Sequence, residues 1–127
     1  MIVRQLSVFL ENKPGVLAEV CKTLNEKNVN IIGLSISDTV DYAVVRLVVD
    51  DPPTATHLLG ERGALVVETE VFALKLTNKP GAMQGVAEKL AQAAVNIEYA
   101  YGSGYGQEGI IYLRVSDPER ARAALGC

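Results

Sequence analysis

Hydrophobic and polar positions along the chain switch repeatedly between a period of two and a period near 3.6. Leu6, Val8 and Leu10 alternate with Ser7 and Phe9, which predicts a strand over residues 2–10. Pro14-Gly15 breaks that run. Val16, Leu17, Val20, Cys21 and Leu24 then follow at helical spacing and predict a helix over 15–27 with one apolar face. Residues 30–37 alternate again through Ile32, Leu34 and Ile36, and the polar turn Asp38-Thr39-Val40-Asp41 leads to the apolar run Val44–Val49, a hairpin. Asp51 is placed to cap a helix that carries Pro52 in its first turn and runs to Gly60–Gly63. Ala64–Thr69 reads as a last strand. Another alternating run, Phe72, Leu74 and Leu76, begins almost at once.

That second start opens a repeat. Asn12-Lys13-Pro14-Gly15 recurs as Asn78-Lys79-Pro80-Gly81, and Val29-Asn30-Ile31 recurs as Val95-Asn96-Ile97, both offset by 66 positions. Residues 12–52 aligned without a gap on 78–118 give 14 identities in 41 positions, where chance would give about two or three at ordinary residue frequencies. Ala82, Met83, Val86, Ala87 and Leu90 hold the places of the first helix's apolar face. With two copies this is a tandem duplication and not a solenoid. Each unit reads β-α-β-β-α-β, an α+β ferredoxin-like pattern in which right-handed crossovers put both helices on one face of an antiparallel sheet. Residues 1–69 form the first unit and 70–127 the second, which ends just after its second helix and lacks its last strand.

Composition narrows the function. Of 127 residues, 49% are hydrophobic and 21% charged, enough to bury a core. Twelve Lys and Arg against fifteen Asp and Glu give a net charge of −3, which argues against a nucleic-acid partner. No apolar run approaches the roughly 18 residues of a membrane span, and the first residues alternate straight into a strand pattern without a signal-peptide layout. A cytoplasmic protein with no membrane partner is expected. Cys21 and Cys127 make no disulfide framework. The single histidine, His57, sits in a helical stretch beside Leu58 and Leu59 and reads as a partly exposed helix residue. No nucleophile–base pair and no metal-ligand spacing appears, so the expectation is a protein that is not an enzyme, with no catalytic residues, no metal and no cofactor.

What recurs is the loop before the first helix and the opening of the second strand. The first amides of a helix lack intrahelical partners and favour an anion. Pro14 sets the entry, Gly15 lets backbone approach a ligand, and Asn12 offers both a donor and an acceptor. The alternative reading of Asn-Lys-Pro-Gly is a good strand-to-helix turn and nothing more. Within one β-α-β unit the loop and the start of the second strand lie at opposite ends, so one site reached by both needs either helix geometry that brings them close or a neighbouring copy.

The β-α-β-β-α-β unit, with Asn-Lys-Pro-Gly before its first helix and Val-Asn-Ile opening its second strand, resembles an ACT domain. The two copies together resemble small stand-alone tandem ACT proteins that bind amino acids. The resemblance implies units that pair side by side through their second strands, and a regulatory ligand site for a small amino acid between them. Position by position it implies contacts from Asn12, Pro14, Gly15, Val16 and Leu17 with Asn30 and Ile31, and from Asn78, Pro80, Gly81, Ala82 and Met83 with Asn96 and Ile97. Ala82-Met83 in place of Val16-Leu17, and Gly85 in place of Glu19, make the two sites unequal. The expected function is non-enzymatic regulatory binding of a small molecule. The alternative is a protein–protein interaction module whose ligand site is vestigial, with a regulated protein as its partner.

Two features need separate readings. Gly104-Tyr105-Gly106-Gln107-Glu108-Gly109 fits G-x-G-x-x-G, but a dinucleotide site needs a helix after it, and the strand pattern Ile110–Val115 follows instead. A flexible hairpin is expected there. Tyr99 and Tyr101 share one face, which suits packing against the other copy or, as the sharper reading, the wall of a ligand pocket. The missing last strand would leave the edge of Phe72–Leu76 open, and an open apolar edge invites strand addition. The edge is therefore expected to be covered, by Ala64–Thr77 across the copies or by a second chain in a homodimer.

Overall fold

The computed structural model describes residues 1–38 and 41–127, so Thr39 and Val40 of the expected turn lie outside the described residues. The elements run β1 Ile2–Glu11, α1 Val16–Asn25, β2 Ile31–Asp38, β3 Tyr42–Val49, α2 Pro52–Glu61, β4 Leu65–Thr77, α3 Ala82–Gln92, β5 Ile97–Tyr105, β6 Glu108–Val115 and α4 Pro118–Leu125. This is the α+β pattern of two β-α-β-β-α-β units expected from the periodicity. Both second helices begin as the sequence indicates. Asp51 accepts a hydrogen bond from the Thr54 amide, Asp117 accepts one from the Arg120 amide, and each helix carries Pro in its first turn.

The chain divides into two compact units, Arg4–Thr69 on one side and Met1–Val3 with Glu70–Cys127 on the other. In the first, the strands are ordered β2-β3-β1-β4. β1 runs antiparallel to β3, with Leu6 opposite Leu47 and Glu11 opposite Tyr42, and β3 runs antiparallel to β2. Leu6, Val8, Val45, Leu47 and Val49 from the sheet meet Val20, Leu24, Ala55, Leu58 and Leu59 from the two helices in one core. The helical stripe is offset from the expected one: Thr23 is buried, its hydroxyl satisfied by the Glu19 carbonyl at 2.8 Å, whereas Cys21 is exposed. The alternation of β2 marks a strand but not burial. Ile32, Leu34 and Ile36 remain 54%, 42% and 49% exposed because β2 is an edge strand with a partner on one side only.

In the second unit the order is β1-β4-β6-β5, with only the first residues of β1 taking part. β4 is antiparallel to β6, with Phe72 opposite Leu113, and β6 to β5. Phe72, Val86, Leu90, Val95, Leu113, Val115 and Ala121 form its core. Beside β4 in this unit lies the beginning of the chain. The Ala73 amide donates to the Met1 carbonyl at 2.8 Å, and Ile2 packs against the core. Backbone donors at a sheet edge need partners, and here the molecule supplies one from its own first strand. β1 and β4 therefore each contribute to both units. This division of labour is why β4 runs 13 residues without a break.

A chain that begins at Arg4 should lose this edge. The Ala73 amide should then exchange with solvent faster, and the second unit should lose roughly 1–2 kcal/mol from one hydrogen bond and the burial of Ile2. Hydrogen exchange with residue resolution checks this, and an Ala73 amide protected as before would contradict it.

Candidate functional site

The repeated Asn-Lys-Pro-Gly loops turn the end of a strand into the start of a helix. Gly15 stands before α1 at φ 89°, ψ −13°, and Gly81 stands before α3 at φ 89°, ψ −12°. The two copies thus adopt one left-handed conformation, which a residue with a Cβ enters at a cost. A Cβ on either glycine would meet nothing within 4 Å, so the requirement is conformational and the space beside each is open. Neither helix receives a side-chain cap at this end. By contrast α2 and α4 are capped by Asp51 and Asp117.

Each loop is tied to the tip of the hairpin in its own unit. The Asn12 amide donates to the Asp41 carbonyl at 3.4 Å. In the second unit the Asn78 amide donates to the Gln107 carbonyl at 2.8 Å, and its side-chain Nδ2 donates to the Gly106 carbonyl at 2.9 Å. The glycines of the G-x-G-x-x-G stretch serve this contact. Gly106 starts the two-residue turn between β5 and β6 at φ 68°, and a Cβ on Gly104 would lie 2.6 Å from Asn78 Oδ1. The stretch joins two strands and opens no helix, as the hairpin reading expects.

Between loop, helix and hairpin lies a pocket, and it occurs twice. The first-unit pocket is about 120 Å³ and is lined by Leu10, Glu11, Asn12, Lys13, Val16, Leu17, Ile36, Ala43 and Val45. Adding 66 to each of these nine numbers gives Leu76, Thr77, Asn78, Lys79, Ala82, Met83, Gly102, Gly109 and Ile111, and all nine line the second-unit pocket of about 230 Å³. The duplication has thus preserved a concavity as well as a turn. A larger cleft of about 490 Å³ in the first unit runs from Glu11 and Lys13 past Glu19 and Thr23 to Leu59 and Arg62. Its cations are matched within the protein, Lys13 by Glu11 at 3.2 Å and Arg62 by Glu26.

Of the expected site residues, Asn12, Val16 and Leu17 line the first pocket and Asn78, Ala82 and Met83 the second. Pro14, Gly15, Pro80 and Gly81 shape the turns. Asn30, Ile31, Asn96 and Ile97 stand elsewhere. Ile31 pairs with Val49 while Asp38, at the other end of β2, pairs with Ala43 beside the loop, so eight residues of strand, roughly 25 Å, separate Asn30 from the loop of its own unit. The backbone of Asn30 is held by the end of β3, its amide donating to Asp50 Oδ1 and its carbonyl accepting from the Asp50 amide. Ser116 does the same for Asn96. The residues missed on sequence alone are the hairpin wall, Ile36, Ala43 and Val45 with Gly102, Gly109 and Ile111, together with Lys13 and Lys79. Lys13 and Lys79 lie within the repeated motif, whereas the hairpin wall differs between the copies and carries no such signal. Tyr99 and Tyr101 do not line the second pocket; the Tyr101 ring packs on Tyr112 with centroids 5.2 Å apart. Burial pushes the Tyr112 phenol up. His57 is exposed and pairs with Glu61 along α2. Among the described residues no three His, Cys, Asp or Glu side chains gather as metal ligands, and no helix is long and apolar enough to cross a membrane.

With this geometry, similarity to known proteins becomes informative. The model of the ACT domain pair family matches residues 1–125, and the chain belongs to that family. Its fold is close to that of a Bacteroides thetaiotaomicron protein of known crystal structure, with a TM-score of 0.95 and 33% identity, covering 99% of this chain and 88% of that one. It also resembles the ligand-free regulatory subunit of aspartate kinase from Thermus thermophilus, with a TM-score of 0.74 and 16% identity over 99% and 93% of the two chains. The corresponding subunit from Thermus flavus gives 0.67 and 16% over 98% and 88%. No curated protein matches the sequence.

Two outcomes test this part. Gly81→Ala should lower stability by about 1–2 kcal/mol, with Gly81→Asn costing less because Asn tolerates the left-handed region; equal stability of wild type and Gly81→Ala in urea melts would remove the conformational argument. ATP and NAD should show no saturable binding, and binding lost on replacing Gly106 would overturn the hairpin reading.

Proposed function

We propose that the chain is a non-enzymatic regulatory protein that binds a small amino acid at its strand-to-helix loops. The observation that supports this best is the pocket conserved between the two copies at a constant offset, with a left-handed glycine and a helix lacking a side-chain cap beside it. Membership of the ACT domain pair family supports the same reading, and so does the fold shared with regulatory subunits of aspartate kinase. In each unit the loop supplies backbone amides at a helix start for a carboxylate. The hairpin supplies an apolar wall.

The ligand works by linkage. Whichever arrangement of the protein it touches more closely is the one it populates, and the readout passes to a partner. The partner in this reading is a second copy of the chain, joined at the β2 edge where Ile32, Leu34 and Ile36 are exposed, with a regulated protein beyond it. Such an edge also brings the start of β2, with Asn30 and Ile31, within reach of a neighbouring molecule, as the family resemblance requires. The edge of β4 is occupied at Ala73 by Met1 and gives no reason for the dimer. No nucleic acid, membrane, metal or cofactor enters the reading, and the chain acts in the cytoplasm.

A thermal-shift screen against the twenty amino acids tests the function. A ligand should raise the melting temperature in step with occupancy. Silence across the whole set would favour a protein–protein interaction module with a vestigial site. Light scattering at micromolar concentration should give about twice the 13.6 kDa of one chain, and a clean monomer would contradict the pairing.

A further inference from the structure

A two-residue hairpin turn calls for one or two residues at positive φ, yet the β5–β6 hairpin carries Gly102, Gly104, Gly106 and Gly109. The first copy has Ile36, Asp38 and Ala43 in the places of Gly102, Gly104 and Gly109, so the repeat itself does not demand them. Gly106 takes the turn at φ 68°. A Cβ on Gly102 would sit 2.2 Å from the Ile110 carbonyl oxygen, and one on Gly109 3.0 Å from the Ser103 carbonyl oxygen, so the two strands approach closely. Gly104 differs from both. Its obstacle is a side chain from outside the hairpin: a Cβ there would lie 2.6 Å from Asn78 Oδ1 and 2.8 Å from Asn78 Cγ.

Asn78 crosses the space over Gly104 to reach the turn. Its backbone amide donates to the Gln107 carbonyl at 2.8 Å and its Nδ2 to the Gly106 carbonyl at 2.9 Å. One loop residue thus holds both residues of the turn. Little else anchors the tip, because residues 102–108 are all exposed, Tyr105 at 95%. A segment with exposed hydrogen bonds and no buried apolar side chain opens at a small fraction of the cost of unfolding. Behind this tie lies the second-unit pocket, whose walls include Asn78 on one side, Gly104 and Gly109 on the other, and Met83 from α3.

We propose that the tip of the β5–β6 hairpin is a gate on the second-unit pocket, and that Asn78 is its catch. When the two Asn78 bonds break, loop and hairpin part along the line where Asn78 meets Gly104, and the pocket opens toward Met83. Gly104 is what lets the catch seat, since any side chain there displaces the Asn78 amide group. The Asn of this loop, which the family resemblance makes a ligand contact, here has its Nδ2 committed to the backbone of its own hairpin. It is a positioning residue. The gate concerns access and holds whatever the pocket admits, so it is independent of the amino-acid reading above.

The experiment is hydrogen exchange of the full chain without added ligand, read by NMR at the residue-78 amide against core amides around Leu113. In the wild type the residue-78 amide should exchange faster than the core, through an opening that leaves β6 folded. Asn78→Asp keeps the size but replaces the Nδ2 donor by an acceptor. Asn78→Ala removes the side chain, and Gly104→Ala pushes it aside; Gly104 is not at positive φ, so alanine there tests space alone. Each should speed exchange at residue 78 about fivefold, as the loss of one hydrogen bond implies, with little change at the core. Gly104→Ala added to Asn78→Ala should do nothing more, because both act on one contact. Hydrogen peroxide carries the test into the pocket: sulfoxide formation at Met83, measured against the exposed Met1 of the same chain, should rise in the same three variants. Equal exchange at residue 78 in wild type and Asn78→Asp, additive effects in the double variant, or Met83 oxidation unchanged relative to Met1 would overturn the proposal. So would a wild-type residue-78 amide that exchanges only in step with the core, which keeps the test valid should a variant fold poorly.

Discussion

Everything at the candidate site depends on one backbone conformation. A strand ends at Glu11 or Thr77 and a helix begins at Val16 or Ala82, so four residues must reverse the chain and start a new period. The left-handed glycine at φ 89° makes this possible in both units. It ends the strand, aims the helix back over the sheet and places the preceding Asn against its hairpin. The helix then carries Val20 and Leu24, or Val86 and Leu90, onto the core. The pocket is the space left between a loop held by the hairpin and a helix held by the core. Its existence follows from packing; its contents are set by a few side chains.

Those few side chains are where the copies have diverged. Core positions such as Leu24 and Leu90, or Leu47 and Leu113, are identical across the repeat, because a change of volume there is felt throughout a close-packed interior. Val16 and Ile36 in the first pocket, and Ala82 and Gly102 in the second, are only partly buried or exposed and have changed while both units keep the frame. Replacement of Glu11 by Thr77, Val16 by Ala82 and Ile36 by Gly102 leaves the frame in place and alters what it admits. A duplicated unit has this freedom: the frame is kept while the pocket walls change.

Much of this was legible in the sequence, and what was not has identifiable causes. The repeat, the strand and helix order, the caps at Asp51 and Asp117 and the hairpin nature of Gly104–Gly109 follow from local chemistry that depends on near neighbours in the chain. The role of Met1–Val3 does not. A strand pattern over residues 2–10 says nothing about which unit its first turnless residues join, and the Ala73–Met1 hydrogen bond links positions 72 residues apart. Exposure of Cys21 and of Ile32, Leu34 and Ile36 was equally hidden, because periodicity reports which face a residue shares and not whether that face is covered. The candidate site was half visible. Loop residues carry a motif, whereas the hairpin wall is recognisable only once the two are seen to touch. Val-Asn-Ile was conspicuous as a repeat, yet within each unit it joins the start of one strand to the end of the next through Asp50 or Ser116.

The central claim is that the loop, the helix start and the hairpin of a unit enclose a small ligand. A crystal structure of the chain grown with a saturating amino acid that raises its melting temperature addresses it most directly. The account predicts density at an Asn-Lys-Pro-Gly loop, between the helix start and the hairpin wall, with the carboxylate toward the first amides of the helix. Density only in the cleft between Glu19 and Arg62 would contradict it.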